Sequence, residues 1–307
     1  MGKLKTLINL MKQKDTHGLK ISLMSNFSHL KISHLVPDKK YLNMWYKVIF
    51  GKKINFKKPK TFNEKLQCLK IYDRNPKYIK LVDKYEVKKY IADKIGEEYI
   101  IPTLGIWDSI EDVDFASLPE QFVIKCTHDS GSTILCDDKK TFDVESAKNK
   151  LSKKLKENLF WWGREWPYKD VKPRIIAEKF MSDGSIDDIR DYKFMCFDGV
   201  VHNCFVCSDR KKNLKVTFYD LDWNVLPFER HYPKSSVPID KPLNFNKMIE
   251  LAKILSKGIP FVRVDFYEVN GKIYFGELTF FPGCGFEEFT PEEWDYKLGD
   301  LIKIPEK

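Results

Sequence analysis

Residues 261–283, FVRVDFYEVNGKIYFGELTFFPG, are a predicted β-hairpin that places charged side chains among apolar ones. The charged residues are Arg263, Asp265 and Glu277. Because an unpaired charge inside a fold is costly, these groups must neutralise one another or hold something charged. Two carboxylates at cross-strand spacing suit Mg²⁺ that carries nucleotide phosphates, and the arginine beside them could hold a carboxylate or phosphoryl oxygen.

The length of the hairpin connection decides whether the two carboxylates share a face. With a two-residue Asn-Gly loop, Val269 opposes Lys272, and the carboxylates point to opposite faces. With a three-residue loop over residues 269–271, Glu268 opposes Lys272 and the parity changes. The face shared in that second register contains Arg263, Asp265, Phe275, Glu277 and Thr279.

We predict the three-residue connection, because it alone turns both acidic groups toward one divalent ion. Arg263 then lies directly opposite Glu277, with Asp265 diagonal to it. The alternative is a plain ion pair between Arg263 and Glu277, with Asp265 in solvent.

Two other segments carry groups suited to a nucleotide. An apolar strand ends in Lys125 and is followed by a small glycine-containing loop, in the sequence FVIKCTHDSGS. Such a loop can offer an ammonium and free backbone N–H groups to phosphates, although a strand-end lysine beside an ordinary turn is the alternative. The segment IIAEKFM places Glu178 and Lys179 after an apolar run, where they could meet an adenine edge or form a solvated ion pair.

Further residues are candidates for substrate contact. The segment FWWGREWPYKD brings Trp162 and Trp166 close in sequence, and exposed aromatic faces suit sugar rings. Packing of these rings against a sheet is the alternative. Arg210 ends an apolar strand and could meet an acidic substrate or form an ion pair at a turn.

The composition predicts a folded protein with anionic partners. The chain has 307 residues, of which 43 % are apolar, and a net charge of +9. This charge favours nucleotides, acidic sugars or lipid headgroups, and no nucleic-acid partner is predicted. Seven cysteines without a framework of spacings and without a predicted secretory leader favour the cytoplasm.

The first residues form a basic amphipathic pattern. Leu4, Leu7, Ile8 and Met11 are spaced for one face of a helix, with lysines elsewhere. Such a segment is compatible with peripheral contact to the inner face of a membrane, or with docking on its own protein. No stretch approaches the roughly 20 apolar residues that a membrane-spanning helix needs.

The predicted elements are paired strands interleaved with single helices, which is typical of the α+β class. We predict a basic, helical accessory region over residues 1–75, in which Thr61 caps a helix with Glu64 as its capping-box partner. Residues 76–120 contain a helix from about 80 to 95, ended by Gly96, and a strand. Residues 121–180 carry the glycine loop and hinge, and residues 181–307 carry the metal and substrate end.

Several segments together resemble a known superfamily. Asp83-Lys84, Lys125 with its glycine loop, AEKF and RVD…GKIYFGELTFFPG occur in the order of the ATP-grasp superfamily, and the last is similar to the end motif of D-alanine-D-alanine ligase. From about Tyr41 to Leu301 the chain resembles more closely the TupA-like ATP-grasp family, named for teichuronopeptide biosynthesis. The segments TFNEKLQ, LVDKYEVKKYIADKIG, CTHDSGS, GREWPYKD, KPRIIAEK and EEWDYKLGDLI carry that resemblance.

The resemblance implies an ATP-grasp fold, with two α+β subdomains gripping ATP between antiparallel sheets and an N-terminal helical extension. It implies ATP and Mg²⁺ as cofactors. The nucleotide residues would be Lys84, Lys125, Ser130, Gly131, Ser132, Glu178, Lys179, Phe180 and Lys193. Asp265 and Glu277 would bind magnesium, with Thr279 where the superfamily usually has asparagine. Arg263, as stabiliser of an oxyanion, and Lys125 would be the catalytic residues.

The predicted function is an ATP- and Mg²⁺-dependent carboxylate-amine ligase that acts through an acylphosphate in cell-surface polysaccharide biosynthesis. Its partners would be a small-molecule or saccharide carboxylate and an amine. The alternatives are a glycosyltransferase that uses a nucleotide sugar, a small-molecule kinase on the same fold, and a nucleotide-binding module without catalysis.

Overall fold

A computed structural model describes residues 15–182, 189–210 and 213–305. The described chain begins with helices α1 (Thr16–Ser28), α2 (Asp38–Phe50) and α3 (Phe62–Tyr72), with a 3₁₀ turn over Lys31–Leu35. The helical character predicted for this region is therefore confirmed in its described part. The basic segment that contains Leu4 and Met11 lies outside the described residues.

Helix α3 begins with the predicted capping box. The Thr61 hydroxyl accepts a hydrogen bond from the Glu64 backbone N–H at 3.1 Å, and the Glu64 carboxylate accepts one from the Thr61 N–H at 3.4 Å. Each side chain satisfies a backbone donor that the first helical turn leaves free, which fixes where the helix starts.

The helix predicted over about 80–95 is two helices, α4 (Lys77–Val82) and α5 (Glu86–Ile95). The prediction of one continuous helix is wrong because Asp83 ends the first helix and caps the second. Its carboxylate accepts from the N–H groups of Tyr85 and Glu86 at 2.8 and 3.1 Å. At this break the Lys84 N–H donates to the Thr127 carbonyl at 3.1 Å. Helix α5 then ends at Gly96, as predicted.

A four-stranded antiparallel sheet forms the first of two sheets around the site. Its strands are β1 (Thr103–Trp107), β2 (Phe122–Cys126), β3 (Ile134–Cys136) and β4 (Ile175–Lys179), in the order β1-β4-β2-β3. Between β3 and β4 lie helices α6 (Val144–Leu155) and α7 (Phe160–Gly163) and a 3₁₀ turn, Trp166–Asp170. The predicted pair of strands around the glycine loop is confirmed as the hairpin β2-β3.

A five-stranded antiparallel sheet forms the second, in the order β10-β9-β5-β6-β7. Its strands are β5 (Asp191–Phe197), β6 (Val200–Ser208), β7 (Lys215–Tyr219), β9 (Val262–Val269) and β10 (Lys272–Thr279). Strands β8 (Glu229–Arg230) and β11 (Phe289–Thr290) pair separately. Helices α8 (Phe245–Ser256) and α9 (Glu293–Leu301) complete the fold, with a 3₁₀ turn at Pro282–Gly285.

Each sheet buries one face and presents the other to the space between them. On β5 and β9, Phe194 and Val264 are fully buried, and Phe194 packs on Phe245 of α8 with ring centres 5.5 Å apart. On the first sheet, Ile124 of β2 lies in a separate core with Leu151 of α6. Successive side chains of a strand point to opposite faces of its sheet, so the charged residues next to these apolar ones point away from the two cores.

The register of the β9-β10 hairpin differs from the prediction. The loop has two residues, Asn270 and Gly271, both left-handed with φ of 51° and 72°, and Val269 pairs with Lys272. The predicted three-residue connection is therefore wrong. An Asn-Gly pair is the preferred residue pair for this type of tight turn, because both positions need positive φ.

A bulge at Gly276 restores the parity that the short loop would have lost. Phe275 pairs with Phe266, but the next pair is Glu277 with Asp265, so Gly276 is the extra residue. Asp265 and Glu277 are therefore direct cross-strand neighbours on one face. Arg263 pairs with Thr279 and not, as predicted, with Glu277.

Within the described residues, no helix is both long enough and apolar enough to cross a bilayer.

We predict that Gly276→Ala destabilises the protein by about 1–3 kcal/mol, the usual effect of an extra methyl group in a filled space. A Cβ atom there would lie 3.0 Å from Tyr267 Cε2 and 3.1 Å from the Asp265 carbonyl oxygen. Urea unfolding measures the change. Lys272→Ala, on the exposed end of the same strand, is the control and should change stability by less than about 0.5 kcal/mol. Equal stability of the two variants would contradict the close approach at the bulge.

Candidate active site

A row of charged side chains crosses three strands of the second sheet. Glu277, Asp265 and Lys193 occupy paired positions on β10, β9 and β5, so they share one face. Arg263 donates to both Asp265 oxygens at 2.7 Å and also to Glu277. Lys193 forms ion pairs with Asp265 and with Asp191, the latter at 2.6 Å. The three charged residues of the β9-β10 hairpin thus neutralise one another, and Lys193 of the neighbouring strand β5 adds a second cation.

The two carboxylates are close enough to share a cation. One guanidinium nitrogen, Arg263 Nη2, lies within hydrogen-bonding distance of both Asp265 and Glu277. Thr279 adds a hydroxyl 2.8 Å from Glu277. Among the described residues no three His, Cys, Asp or Glu side chains group as metal ligands. Two carboxylates with a neutral oxygen fit Mg²⁺, which usually keeps waters and phosphate oxygens as its remaining ligands.

The surrounding cations favour the ionised form of Glu277. Burial alone would raise the pKa of Glu277, but the charges of Arg263, Lys193 and Lys84 outweigh it and lower the pKa to about 2. The Glu277 side chain is 46 % exposed, so it is ionised and open to a ligand. Burial opposes the charged form of Lys193, yet Asp265 raises the pKa of its ammonium.

The first sheet presents a second charged group to the same space. The Glu178 carboxylate of β4 is buried and is bound by Lys125 of β2 at 2.6 Å and by Lys88 of α5 at 2.5 Å. Lys88 also donates to the Ile101 carbonyl at 2.6 Å. Burial raises the pKa of Glu178, but the two lysines reverse this and lower it. A carboxylate held by two ammonium groups leaves a net positive charge, which suits phosphate.

Lys84 lies at the break between α4 and α5, with its ammonium on the loop that follows β2. Its Nζ donates to the Asp129 carbonyl and lies 3.9 Å from the Asp129 carboxylate. Burial is the main cause that lowers the pKa of Lys84, while Asp129 raises it, Lys125 lowers it and Glu277 raises it. Lys84 is therefore within electrostatic reach of the other phosphate candidate, Lys125, and of the Asp265–Glu277 pair.

The glycine loop places its three predicted phosphate residues differently. Ser130 and Gly131 are exposed, and a Cβ atom on Gly131 would meet nothing within 4 Å. Ser132 is buried, donates to Asp129 at 2.6 Å and accepts from the Cys126 N–H at 2.8 Å. In this conformation its hydroxyl stabilises the loop, whereas the tip at Ser130 and Gly131 is free to approach a ligand.

A cavity of about 690 Å³ lies between the two sheets. Lys84, Lys88, Lys125, Glu178, Lys179 and Phe180 line it from the side of the first sheet, and Asp191, Arg210, Tyr267, Phe275 and Gly276 from the side of the second. Its volume is within the range of small-molecule and cofactor sites. Gly276, which lines the cavity, immediately precedes Glu277 in β10.

The other predicted substrate residues have different surroundings. Arg210 lines the cavity and forms an ion pair with Asp191. Trp162 and Trp166 do not line it. Trp166 is only 5 % exposed and packs against Tyr78, so its ring is not available to a sugar, whereas Trp162 is 41 % exposed.

Sequence analysis missed several residues that the fold brings to the site. Lys88 lies in the first turns of α5, whereas Lys84 lies before that helix, so no helical spacing connects the two lysines in the sequence. Asp191 begins the strand that carries Lys193, two residues away on the same face. Gly276 is a lone glycine inside a strand pattern, which commonly marks a bulge. Arg230, described below, has no such signal, because its position depends on a two-residue strand.

Comparison with known proteins identifies a family. A family model described as TupA-like ATPgrasp matches residues 64–303, well over half of the chain. The search among curated proteins found no match.

Solved structures give a distant likeness. The chain is similar to the ATP-grasp ligase PsnB, complexed with a phosphomimetic variant of minimal precursor, Mg and ADP (10 % identity, TM-score 0.37, 67 % of this chain and 52 % of that one). It is also similar to L-amino acid ligase from Bacillus licheniformis (14 % identity, TM-score 0.41, 73 % of this chain and 49 % of that one). A third similar structure is D-alanine--D-alanine ligase from Bacillus anthracis complexed with ATP (16 % identity, TM-score 0.40, 72 % of this chain and 64 % of that one). The chain spans about half the length of the first two. At these identities and TM-scores the likeness carries no argument about activity.

We predict that the stabilising effect of Glu277 is present above pH 4.5 and is lost as the pH falls toward 2. Its carboxyl has a pKa lowered from 4.5 to about 2 in the folded protein, so the folded state releases this proton more readily than the unfolded chain does. The difference in free energy of unfolding between the wild type and Glu277→Gln should therefore shrink between pH 6 and pH 3.5. Urea unfolding at a series of pH values measures it.

The control for this comparison is Glu145→Gln on α6, where the carboxylate side chain is 80 % exposed. A difference between wild type and Glu277→Gln that stays constant over this pH range would show that the cations around Glu277 do not favour its ionised form.

Proposed function

Because this chain belongs to the TupA-like ATP-grasp family, we propose that it is an ATP- and Mg²⁺-dependent carboxylate-amine ligase. The observation that carries the proposal is the arrangement of charges around the cavity, with cations lining it and the carboxylate pair next to it. Ammonium groups of Lys84 and Lys125 lie on the side of the first sheet, and the Asp265–Glu277 pair follows Gly276 on the second. Such an arrangement can bind a triphosphate between cations of the protein and a metal held by the carboxylates.

The proposed reaction has two steps and needs no covalent enzyme nucleophile. In the first, an oxygen of the substrate carboxylate attacks the γ-phosphorus, the bond to the ADP oxygen breaks, and an acylphosphate forms. In the second, the amine nitrogen attacks the acyl carbon, the carbon–oxygen bond to phosphate breaks, and the amine loses a proton. The products are an amide, ADP and inorganic phosphate, so positioning and charge neutralisation supply most of the rate.

The residues of the chain have distinct roles in this proposal. Lys84 and Lys125 bind phosphate oxygens, with the exposed Ser130 and Gly131 covering them. Arg263 stabilises the oxyanion that develops at the acyl carbon. Asp265 and Glu277 would hold Mg²⁺, with Thr279 beside them, and the ion would supply neutralisation of phosphate charge when bound.

The adenine end needs a more careful assignment. Glu178, Lys179 and Phe180 line the cavity, as the proposal requires. However, both Glu178 oxygens already accept from lysine ammonium groups. We therefore assign Glu178 to positioning Lys125, and the recognition of the adenine edge to the backbone around Lys179 and Phe180.

The substrate class is the finer part of the proposal. We infer a uronic acid or amino acid as the carboxylate and a role in cell-surface polysaccharide biosynthesis, supported by the resemblance of the sequence to a family named for teichuronopeptide biosynthesis. The net charge of +9 suits an acidic substrate.

We predict that Glu277→Gln abolishes turnover and preserves the fold. The amide keeps the size of the side chain but removes the charge that a metal ligand needs. ADP and phosphate release would be measured with Mg²⁺, ATP and a panel of acidic sugars and amino acids, each with and without an amine, and circular dichroism would test the fold.

The matched control is Glu145→Gln, which should retain full activity. The wild type should release both ADP and phosphate only when carboxylate and amine are present. ADP release without phosphate would instead indicate a kinase, and full activity in Glu277→Gln would refute the assignment of the metal site.

We also predict that Lys125→Met weakens binding of Mg²⁺-ATP about tenfold or more, or ~1.4 kcal/mol. Methionine keeps an apolar chain of similar length and removes the ammonium. Isothermal titration calorimetry measures the affinity. Lys172→Met is the control, because Lys172 is 63 % exposed and its ion pair, with Asp108, lies on the surface. Unchanged affinity in the Lys125 variant would exclude contact between this ammonium and a phosphate.

A further inference from the structure

A second arginine lies on the same face of the second sheet as the carboxylate pair. Phe205 of β6 is the cross-strand partner of Lys193, so the row Glu277, Asp265, Lys193 continues into Phe205. The guanidinium carbon of Arg230 lies 5.0 Å from the centre of the Phe205 ring. Strand β8, which carries Arg230, thus places this side chain next to the face of the second sheet that carries Asp265 and Lys193.

Arg230 and Arg263 share that ring. The guanidinium carbon of Arg263 lies 5.8 Å from the Phe205 centre, so two cations lie within 6 Å of the centre of one aromatic ring. Burial is the main cause that lowers the pKa of Arg230, and the nearby charge of Arg263 adds to it while Glu287 opposes it. The two guanidinium groups repel each other, and an anion that contacts both would relieve this repulsion.

The two arginines differ in the number of carboxylates that they contact. Arg263 contacts two carboxylates, Asp265 and Glu277. Arg230 is 6 % exposed, and Glu287 is its carboxylate partner, at 2.9 Å from Nε. Within the part of the chain that the structure describes, the buried Nη1 of Arg230 has no hydrogen-bond partner. A buried guanidinium nitrogen without an acceptor is uncommon, and a ligand that supplies one would be favoured.

The order of the groups along β9 places Arg263 beyond the carboxylate pair, and Arg230 shares the Phe205 ring with Arg263. The nucleotide cavity reaches Tyr267 and Gly276, and the next pair along β9 and β10 is Asp265 with Glu277. Arg263 lies two residues further from the cavity than Asp265. Neither arginine lines the cavity. A group that meets the γ-phosphoryl at the carboxylate pair would therefore approach from the side of Arg263 and Arg230.

We propose that Arg230 is a binding residue for the carboxylate substrate, with its Nη1 donating to a carboxylate oxygen beside Arg263. This inference depends on the ligase function proposed above and adds a specificity-determining residue to it. An arginine is suited to the role because its planar guanidinium matches a carboxylate in geometry and stays charged when buried.

The test compares wild type with Arg230→Gln by isothermal titration calorimetry, in the presence of Mg²⁺ and a non-hydrolysable ATP analogue. The carboxylate probes are glucuronate, glutamate and alanine, and glucose is the neutral match for glucuronate. We expect at least one carboxylate to bind the wild type and to bind the variant about tenfold or more weakly. Glucose should bind neither protein, and Arg74→Gln, a half-exposed arginine elsewhere, should bind like the wild type.

Binding of the ATP analogue separates this inference from the proposed function. The analogue should bind wild type and Arg230→Gln within about twofold of each other, which also shows that the variant is folded. If Arg230→Gln does not fold, Arg230→Lys replaces it, keeps the buried charge without the planar fork, and should lose about threefold or more in carboxylate affinity.

Two results would overturn the inference alone: equal carboxylate affinity in wild type and variants, or analogue binding by the wild type without binding of any of the three carboxylates. A wild type that does not bind the analogue would overturn the proposed function and this inference with it.

Discussion

Two cations, Arg263 and Lys193, hold carboxylates from neighbouring strands on one face of a sheet, and the rest of the site depends on this balance. Without them, Asp265 would be a buried charge without compensation and Glu277 would repel it from the adjacent strand. With them, Asp265 has two cationic partners and Glu277 stays ionised next to the cavity. The same contacts that stabilise the ligand-free protein therefore preserve the negative charge that a metal ion would use.

The hairpin shows both what the sequence can predict and what it cannot. The charged residues follow from residue type and spacing. Their common face was predicted from a three-residue loop, whereas the structure produces it with a two-residue loop and a bulge. The Asn-Gly loop is the strongest local signal for a two-residue turn, and the lone Gly276 is a signal for a bulge. Each signal alone gives the wrong face for Glu277, and only the two together give the observed one. Every loop residue and bulge shifts the register, so one unrecognised residue moves all later side chains to the opposite face of the sheet.

The first sheet and its helices were predictable in kind, though less so in detail. Strands β2, β3 and β4 follow from short apolar runs, and the cap at Thr61 follows from its partner three residues later. The break at Asp83 did not follow, because apolar periodicity continues through it, although the Asp83 carboxylate caps the following turn and the Lys84 N–H bonds to Thr127. Arg230 was inaccessible to sequence analysis for a different reason. Its surroundings come from β6, β7 and the segment before β11, which no local pattern connects.

The break between α4 and α5 also has a mechanical meaning. Around it, Val82 and Val87 pack into the large core that includes the second sheet, while the Lys84 N–H is bonded to the end of β2. Arg174, just before β4, adds ion pairs to Asp83 and Glu86. The break between α4 and α5, which carries Lys84, thus connects the core of the second sheet to strands β2 and β4 of the first sheet. Because the Lys84 N–H and ammonium both bond to the segment that follows β2, a change in the angle between the two sheets would carry Lys84 with the glycine loop.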